Sequence, residues 1–171
     1  MPLSGVPPSA PTSVAGALVI FLADEQTEQV DLGSLHSLAE MVLREEGYPE
    51  DAEVTLLFVS DSEMASYNER FLDRAHPTDV LAFPVEELRP GVVPDVDPQG
   101  PPLILGDVIV APAYVRRQAA EMDVVFEDEM SLMVTHGILH LLGYDHVEDD
   151  DAEEMEGRER ELLVKVGRTR R

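Results

Sequence analysis

Residues 127–146 read EDEMSLMVTHGILHLLGYDH, and this stretch decides how the chain is interpreted. Between residues 130 and 142 the apolar residues cover almost every side of a helix, which predicts a helix buried in the core. The three acids at 127–129 suit the first turn of that helix, because the helix dipole is positive at its N-terminus. We therefore predict a long central helix from about residue 127 to residue 142.

Three of the five histidines lie in this stretch, at His136, His140 and His146. The first two are four residues apart and share one face of the helix. Gly143 can end the helix and reverse the chain, so that His146 reaches the same point in space. Three neutral imidazoles with no fourth protein ligand are typical of a catalytic zinc site, where a water takes the open position. The sequence predicts one zinc ion with these three ligands, and hence a metal-dependent hydrolase.

Two other interpretations of the three histidines stay open. They could be core residues that bond to the backbone, since an imidazole in an apolar environment needs a partner. They could also form a structural zinc site that is closed by a fourth ligand, such as Asp145 or a distant acid. Asp145 itself could orient an imidazole or assist the bound water. Alternatively it could serve only the turn, where aspartate is common.

Gly137 departs from the motif that the spacing otherwise reproduces. In the zincin pattern H-E-x-x-H-x-x-G-x-x-H, the second position is the glutamate that acts as general base. Here that position has no side chain, so a peptidase mechanism would lack its base. The alternative is that glycine allows close packing against a neighbouring element. We interpret the remaining histidines, His36 and His76, as surface or cap residues rather than ligands.

Length and composition indicate one domain without a membrane span. The chain has 171 residues, 44% of them hydrophobic, and we predict a single hydrolase domain over 16–167. The Pro-, Ser- and Ala-rich residues 1–15 lack the features of a secretory signal and are predicted to be a disordered tail. No apolar run approaches the ~18 residues that a membrane span needs. Cysteine is absent, so any zinc ligands are nitrogen or oxygen, and a cytoplasmic location fits.

The net charge of −23 argues against a generic nucleic-acid binder. Such proteins are usually basic, because neutralising phosphates supplies most of their non-specific affinity. Two basic groups, Arg116–Arg117 and the arginines at 168, 170 and 171, are local exceptions. Net charge governs solubility and steering rather than the chemistry of a site, so it does not decide the function.

The rest of the chain alternates predicted strands and helices. Strands are predicted at 17–22, 54–59, 79–83 and 103–110, the last two pairing across a proline-rich loop at 84–102. Helices are predicted at 32–43, at 60–71 with Ser60 as N-cap, at 113–122, and in an amphipathic C-terminal segment. This pattern predicts an α+β fold, with a small mixed β-sheet covered by helices and a zincin-like metal helix in the core.

Three segments resemble the YbeY-type bacterial endoribonucleases, which are also described as rRNA maturation factors. Residues 136–146 match the HGxLHLxGYDH block of that family. The sequence PTDVLAFP at 77–84 is similar to its PTDVLSFP block, with Ala82 where serine is usual. The sequence LGDVI at 105–109 resembles its LGDI-type strand. Asn68 and Gln118–Ala119 also fall where the family has these residues, and the likeness spans roughly residues 52–160.

The resemblance implies zinc held by His136, His140 and His146, and cleavage of single-stranded RNA. It also implies a role in maturing the 3′ end of 16S rRNA and in ribosome quality control, with rRNA and the ribosome or ribosomal proteins as partners. RNA brings its own nucleophile, the 2′-hydroxyl, which would make a protein base at position 137 less necessary. Donors of Thr78 could help to hold the scissile segment.

One position departs from the family pattern. Many members have an arginine shortly before the PTDV block that is thought to assist cleavage, and here that position is Leu72, with Arg70 and Arg74 on either side. Two rival functions therefore stay open. The zincin-like spacing would suit a zinc metallopeptidase, and the acidic surface would suit a non-catalytic ribosome-assembly factor that binds basic ribosomal proteins.

Overall fold

A computed structural model describes residues 18–73 and 76–171, and these residues form a four-stranded sheet with five helices. The strands are β1 (Val19–Glu25), β2 (Glu53–Val59), β3 (Val80–Pro84) and β4 (Ile104–Val110). The helices are α1 (Leu32–Glu45), α2 (Asp61–Leu72), α3 (Pro112–Glu121), α4 (Phe126–Leu141) and α5 (Asp149–Lys165). The predicted tail at residues 1–15 lies outside the described residues.

The sheet is mixed, with the strand order β1-β2-β4-β3. The first three strands in this order run parallel, and β3 pairs antiparallel with β4 at the edge, where Leu81 faces Ile109. The predicted pairing of these two strands is therefore confirmed, as is the α+β fold class. The connection between β3 and β4 contains one isolated bridge, from Arg89 to Val92.

Helix α4 is the central element of the core. It contacts β3, β4, α1, α3 and α5, and its apolar side chains are almost all buried; examples are Val134, Ile138, Leu139 and Leu141. Each fully buried side chain of this kind contributes about 1.5–3 kcal/mol. The prediction of a buried central helix is confirmed, with each end one residue earlier than expected. No described helix is long and apolar enough to cross a membrane.

Helix α2 begins with the predicted cap. The Ser60 hydroxyl accepts a hydrogen bond from the backbone N–H of Glu63 at 3.3 Å, and the Glu63 carboxylate accepts one from the backbone N–H of Ser60 at 3.3 Å. This reciprocal capping box satisfies two N–H groups that would otherwise lack partners. It fixes the start of a helix whose far end borders the three histidines.

Gly137 lies where α4 comes closest to the sheet. A Cβ at this position would be 2.4 Å from Val108 Cγ1 on β4 and 3.3 Å from Val80 Cγ2 on β3. The close-packing interpretation of Gly137 is therefore confirmed. A glutamate, as in the zincin pattern, would not fit at this position unless the strand or its side chains moved.

We expect Gly137→Ala to lower the free energy of unfolding by about 1 kcal/mol. Overpacking a core costs about 1–3 kcal/mol, against a gain of about 1 kcal/mol from replacing a helical glycine. Gly157→Ala in α5 is the matched control, because a Cβ there meets nothing within 4 Å, and it should be stabilising. Urea unfolding of both variants makes the comparison; equal stability of the two would contradict the packing account.

Candidate metal centre

The chain reverses sharply at the end of α4. The N–H of Gly143 donates to the His140 carbonyl at 3.2 Å, and the N–H of Tyr144 donates to the Leu139 carbonyl at 3.0 Å. This pair of bonds is the Schellman arrangement, which requires a left-handed residue after the cap. Gly143 has φ +98°, and a Cβ there would lie 2.1 Å from a backbone oxygen of the loop after β3. The turn brings His146 back alongside the helix.

The three histidines of the block converge, as their spacing predicted. Their ring centroids are 4.5 Å apart for His136 and His140, 4.9 Å for His140 and His146, and 5.4 Å for His136 and His146. One nitrogen from each ring lies within 4.8 Å of the others, and this group of potential ligand atoms includes no carboxylate. The arrangement could hold a metal ion.

Hydrogen bonds fix which nitrogens face the centre of the cluster. The Nδ1 of His136 lies 2.6 Å from Glu159 Oε1, and the Nδ1 of His140 lies 3.0 Å from the Tyr144 carbonyl oxygen. Both partners are acceptors, so in the neutral rings each Nδ1 carries the proton and each Nε2 presents a lone pair. The two Nε2 atoms are 3.1 Å apart.

This arrangement fits a metal ion better than it fits an internal hydrogen bond. Two facing lone pairs have no proton to share, whereas a cation between them would be bound by both. Zinc–nitrogen bonds are about 2.0–2.1 Å long, so two ligands of one zinc ion lie within about 4.2 Å of each other. The observed 3.1 Å satisfies that limit.

The electrostatics keep His140 in the neutral form that can bind a metal. Burial, followed by the neighbouring His136 and His146, lowers the pKa of His140 to about 4, so this ring is neutral near pH 7. Burial alone would raise the pKa of the Glu159 carboxyl. Hydrogen bonds from His136 and Arg170 outweigh that effect and leave the pKa below its usual value, so Glu159 is ionised.

Glu159 is the main site residue that the sequence analysis missed. It lies in α5, is only 1% exposed, and accepts a second hydrogen bond from Arg170 Nε at 2.6 Å. The sequence does contain a signal. Glu159 follows Met155 by four residues and precedes Leu162 by three, so it occupies the apolar face of an amphipathic helix. An acid at such a position needs a partner in the core.

A second buried acid, in the first turns of α4, connects through hydrogen bonds to the loop before β3. Glu129, 2% exposed, accepts from Arg171 Nε at 2.8 Å and from Gln118 Nε2 at 3.3 Å. The same amide nitrogen of Gln118 lies 3.3 Å from Asp79 Oδ2, and Asp79 Oδ1 accepts from the N–H of Val80 at 2.8 Å. This chain of hydrogen bonds supports the loop that enters β3.

A cavity of about 470 Å³ opens in front of the three imidazoles. Its other lining residues come from the end of α2, the loop before β3, β3 itself and α4: Asn68, Leu72, His76, Thr78, Asp79, Val80, Leu81, Ala82, Pro84 and Gly137. Asn68 is buried and donates from Nδ2 to the His76 carbonyl at 2.8 Å, which ties α2 to that loop. Another cavity, of about 410 Å³ between α1 and α4, contains none of the histidines.

The two candidate catalytic residues have identifiable structural partners. Asp145 Oδ1 accepts from the backbone N–H groups of His146 at 2.6 Å and Val147 at 3.2 Å, which is turn chemistry. Thr78 lines the cavity, and its hydroxyl donates to Asp79 Oδ1 at 3.3 Å. Their predicted parts in catalysis remain predictions.

The other two histidines lie apart from the cluster. His36 is on α1, where its Nδ1 is 3.2 Å from Glu40 Oε1. His76 is exposed at the rim of the cavity and is not among the potential ligand atoms. Leu72, at the position of the family arginine, is 47% exposed and lines the same cavity.

Residues 21–167 match the family model described as Endoribonuclease YbeY. The chain belongs to the endoribonuclease YbeY family. Two curated proteins named endoribonuclease YbeY illustrate the likeness. The one from Acidothermus cellulolyticus is 43% identical over 148 residues, covering 86% of this chain and 90% of that protein. The one from Beutenbergia cavernae is 42% identical over 143 residues, covering 84% of this chain and 93% of that protein.

A solved structure supports the same fold. The solution structure of a Thermotoga maritima protein aligns with a TM-score of 0.58 and 27% identity, covering 87% of this chain and 92% of that one. The family resemblance predicted from the sequence is therefore confirmed, as is the enzyme class.

We expect Glu159→Gln to weaken zinc binding about 10- to 100-fold, because loss of a charged partner of a metal-binding histidine typically has that effect. Glu153→Gln is the matched control, since Glu153 is an exposed acid on the same helix. Competition with a zinc chelator measures both dissociation constants. An unchanged constant in folded Glu159→Gln protein would mean that the carboxylate does not support the site.

Proposed function

We propose that this chain is a zinc-dependent endoribonuclease that cuts single-stranded RNA. We further propose that it acts in the cytoplasm on the 3′ end of 16S rRNA and in ribosome quality control, with the ribosome or ribosomal proteins as partners. The observation that carries the proposal is the apposition of the His136 and His140 Nε2 atoms at 3.1 Å, beside His146 and in front of an open cavity. Membership of the endoribonuclease YbeY family supports RNA as the substrate.

The residues of the chain prepare the site before a substrate arrives. A bound zinc ion would supply Lewis acidity and lower the pKa of its water toward ~7. His136, His140 and His146 would be its ligands. The Glu159 carboxylate and the Tyr144 carbonyl keep two of these rings in the required tautomer and orientation. With three protein ligands, one coordination position stays open for a reactant.

The absence of a side chain at residue 137 is compatible with RNA cleavage. The 2′-hydroxyl of RNA lies next to its own scissile phosphate, so the substrate can supply the nucleophile that a peptidase must draw from water. In this proposal Thr78, on the wall of the cavity, positions the phosphate through its backbone N–H, because its hydroxyl already donates to Asp79. Asp145, adjacent to His146, is the candidate for assisting the bound water.

The rival functions make different predictions. A metallopeptidase needs a base near the metal, and the packing of Gly137 against Val108 leaves no space for the zincin glutamate. A non-catalytic assembly factor would bind zinc but cut nothing. Incubating zinc-loaded protein with casein, single-stranded RNA and duplex RNA, each with and without chelator, separates the three. We expect cleavage of single-stranded RNA alone, abolished by the chelator.

Replacing His140 by alanine should abolish both zinc retention and RNA cleavage, because it removes one of the three proposed ligands, whose Nε2 faces that of His136. His36→Ala is the control, since His36 lies on α1 and contacts Glu40. Metal content by elemental analysis, with cleavage measured on the same samples, checks the prediction. Full activity in folded His140→Ala protein would refute the site.

We expect Leu72→Arg to lower the KM for RNA several-fold. The position is 47% exposed on the cavity wall, so it can accept a longer side chain that contacts a phosphate. One added phosphate contact should steepen the slope of log affinity against log salt concentration by about 0.7. Val164→Arg, at a 71% exposed position of α5, makes the same change of charge away from the cavity. Equal effects of the two variants would contradict a phosphate contact at residue 72.

A further inference from the structure

Most of the basic residues are already paired with acids. The chain has 12 Lys and Arg residues, and nine of them form ion pairs among the described residues. These nine are Arg44, Arg116, Arg117, Arg158, Arg160, Lys165, Arg168, Arg170 and Arg171. Both basic groups noted in the sequence belong to this set, so their charge is locally compensated. The described residues therefore offer no run of unpaired basic side chains along which an RNA backbone could lie.

Arg70 is an exception, and it lies on the helix that borders the cavity. No acid lies within ion-pair distance of it among the described residues, and residues 74–75, which are not described, include no acid. Its guanidinium carbon is 5.8 Å from the centroid of the Phe71 ring. The same helix contributes Asn68 and Leu72 to the cavity wall.

Phe71, next to Leu72 at the end of α2, presents an exposed aromatic ring. It is 55% exposed, although its neighbours hold it in a defined orientation. The Tyr67 ring stacks with it, with ring centroids 6.3 Å apart and an interplanar angle of 15°. The Phe83 ring contacts it with centroids 5.1 Å apart and an interplanar angle of 59°. Phe83 is on β3, where its side chain points to the opposite face from Ala82 and Pro84, which line the cavity; Phe71 therefore lies beside the cavity, across the edge strand, and not in its wall. The ring is thus held by its neighbours while about half of the residue stays exposed.

We propose that Phe71 is a stacking site for a base of single-stranded RNA and that Arg70 contacts a phosphate of the same segment. This inference rests on the proposed function and adds a substrate-binding subsite to it. Stacking on an aromatic ring does not depend on net charge and accepts any base, because every base has a π-face. In a duplex the bases are stacked on one another, so only unpaired RNA can use the site. The subsite would let so acidic a chain bind RNA and would favour single strands.

Salt dependence gives the first test. Each phosphate neutralised on a single strand contributes about −0.7 to the slope of log affinity against log salt. Among the described residues, Arg70 and Arg89 are the only Lys or Arg side chains without an ion pair, and Arg74 is the one further arginine of the chain, so at most three phosphates are neutralised and the slope should be no steeper than about −2. Arg70→Gln should reduce its magnitude by about 0.7, while Arg160→Gln, on the exposed face of α5, should leave it unchanged. A slope steeper than −2 in the wild type would overturn the subsite as the main source of affinity.

Substitution of the ring gives the second test. Phe71→Leu keeps the apolar contacts with Tyr67 and Phe83 but removes the π-face, and Phe71→Tyr keeps both. Phe21→Leu is the control, because Phe21 is 39% exposed on β1, at the opposite edge of the sheet. The probes are oligoadenylate and an abasic ribose-phosphate strand of equal length. Their dissociation constants are measured with chelator present, and KM and kcat with zinc-loaded protein.

We expect Phe71→Leu to raise KM and the dissociation constant for oligoadenylate about tenfold, equivalent to about 1.4 kcal/mol, with zinc content unchanged. Phe71→Tyr and Phe21→Leu should match the wild type, and the abasic strand should bind wild type and Phe71→Leu equally weakly. Unchanged KM in an active Phe71→Leu protein would overturn the subsite alone. A wild-type protein that neither binds nor cuts RNA would overturn the proposed function and the subsite with it.

Discussion

The hydrogen bonds on the Nδ1 side of His136 and His140 are the constraint on which the site depends. Each ring is held by an acceptor, the Glu159 carboxylate for one and the Tyr144 carbonyl for the other. These bonds direct both Nε2 lone pairs to one point, and burial keeps His140 uncharged. The helix that carries the rings is itself fixed by its apolar packing, which becomes so close at Gly137 that no side chain fits. Packing therefore sets the position of the rings, and hydrogen bonding sets their chemistry.

Two buried carboxylates extend this constraint to the segment after α5. An ionised acid in the core without a partner is strongly destabilising, by about 3–5 kcal/mol when one member of a buried pair is removed. Glu159 and Glu129 are 1% and 2% exposed, and each is paired with an arginine of that segment, Arg170 and Arg171. These arginines belong to one of the two basic groups of the sequence, and in the fold they balance charges beneath the site. Few cationic side chains of the described residues are then left unpaired, so in the proposed RNA complex aromatic contacts would take a larger share of the binding.

The sequence predicted the parts of the structure that depend on local pattern. The buried helix, the Ser60 cap and the convergence of three histidines follow from periodicity, capping residues and a glycine turn, each of which acts within a few residues. The sequence analysis missed Glu159 for two reasons. Its partner His136 is 23 residues away, and the many acids of α5 suggest a helix that faces solvent. The order of the strands and the pairing of Arg170 and Arg171 depend on long-range contacts, which no local pattern records. The packing role of Gly137 could be named from the sequence, but its partner Val108 could not.

X-ray absorption spectroscopy of the zinc-loaded protein tests the central claim most directly. The account predicts one zinc ion per chain with three imidazole nitrogens at about 2.0–2.1 Å and one oxygen ligand that added phosphate or a nucleotide displaces. A fourth ligand that resists exchange, such as the Asp145 carboxylate, would instead indicate a closed structural site. Finding fewer than three imidazoles around the metal, or no bound zinc under any loading condition, would contradict the account.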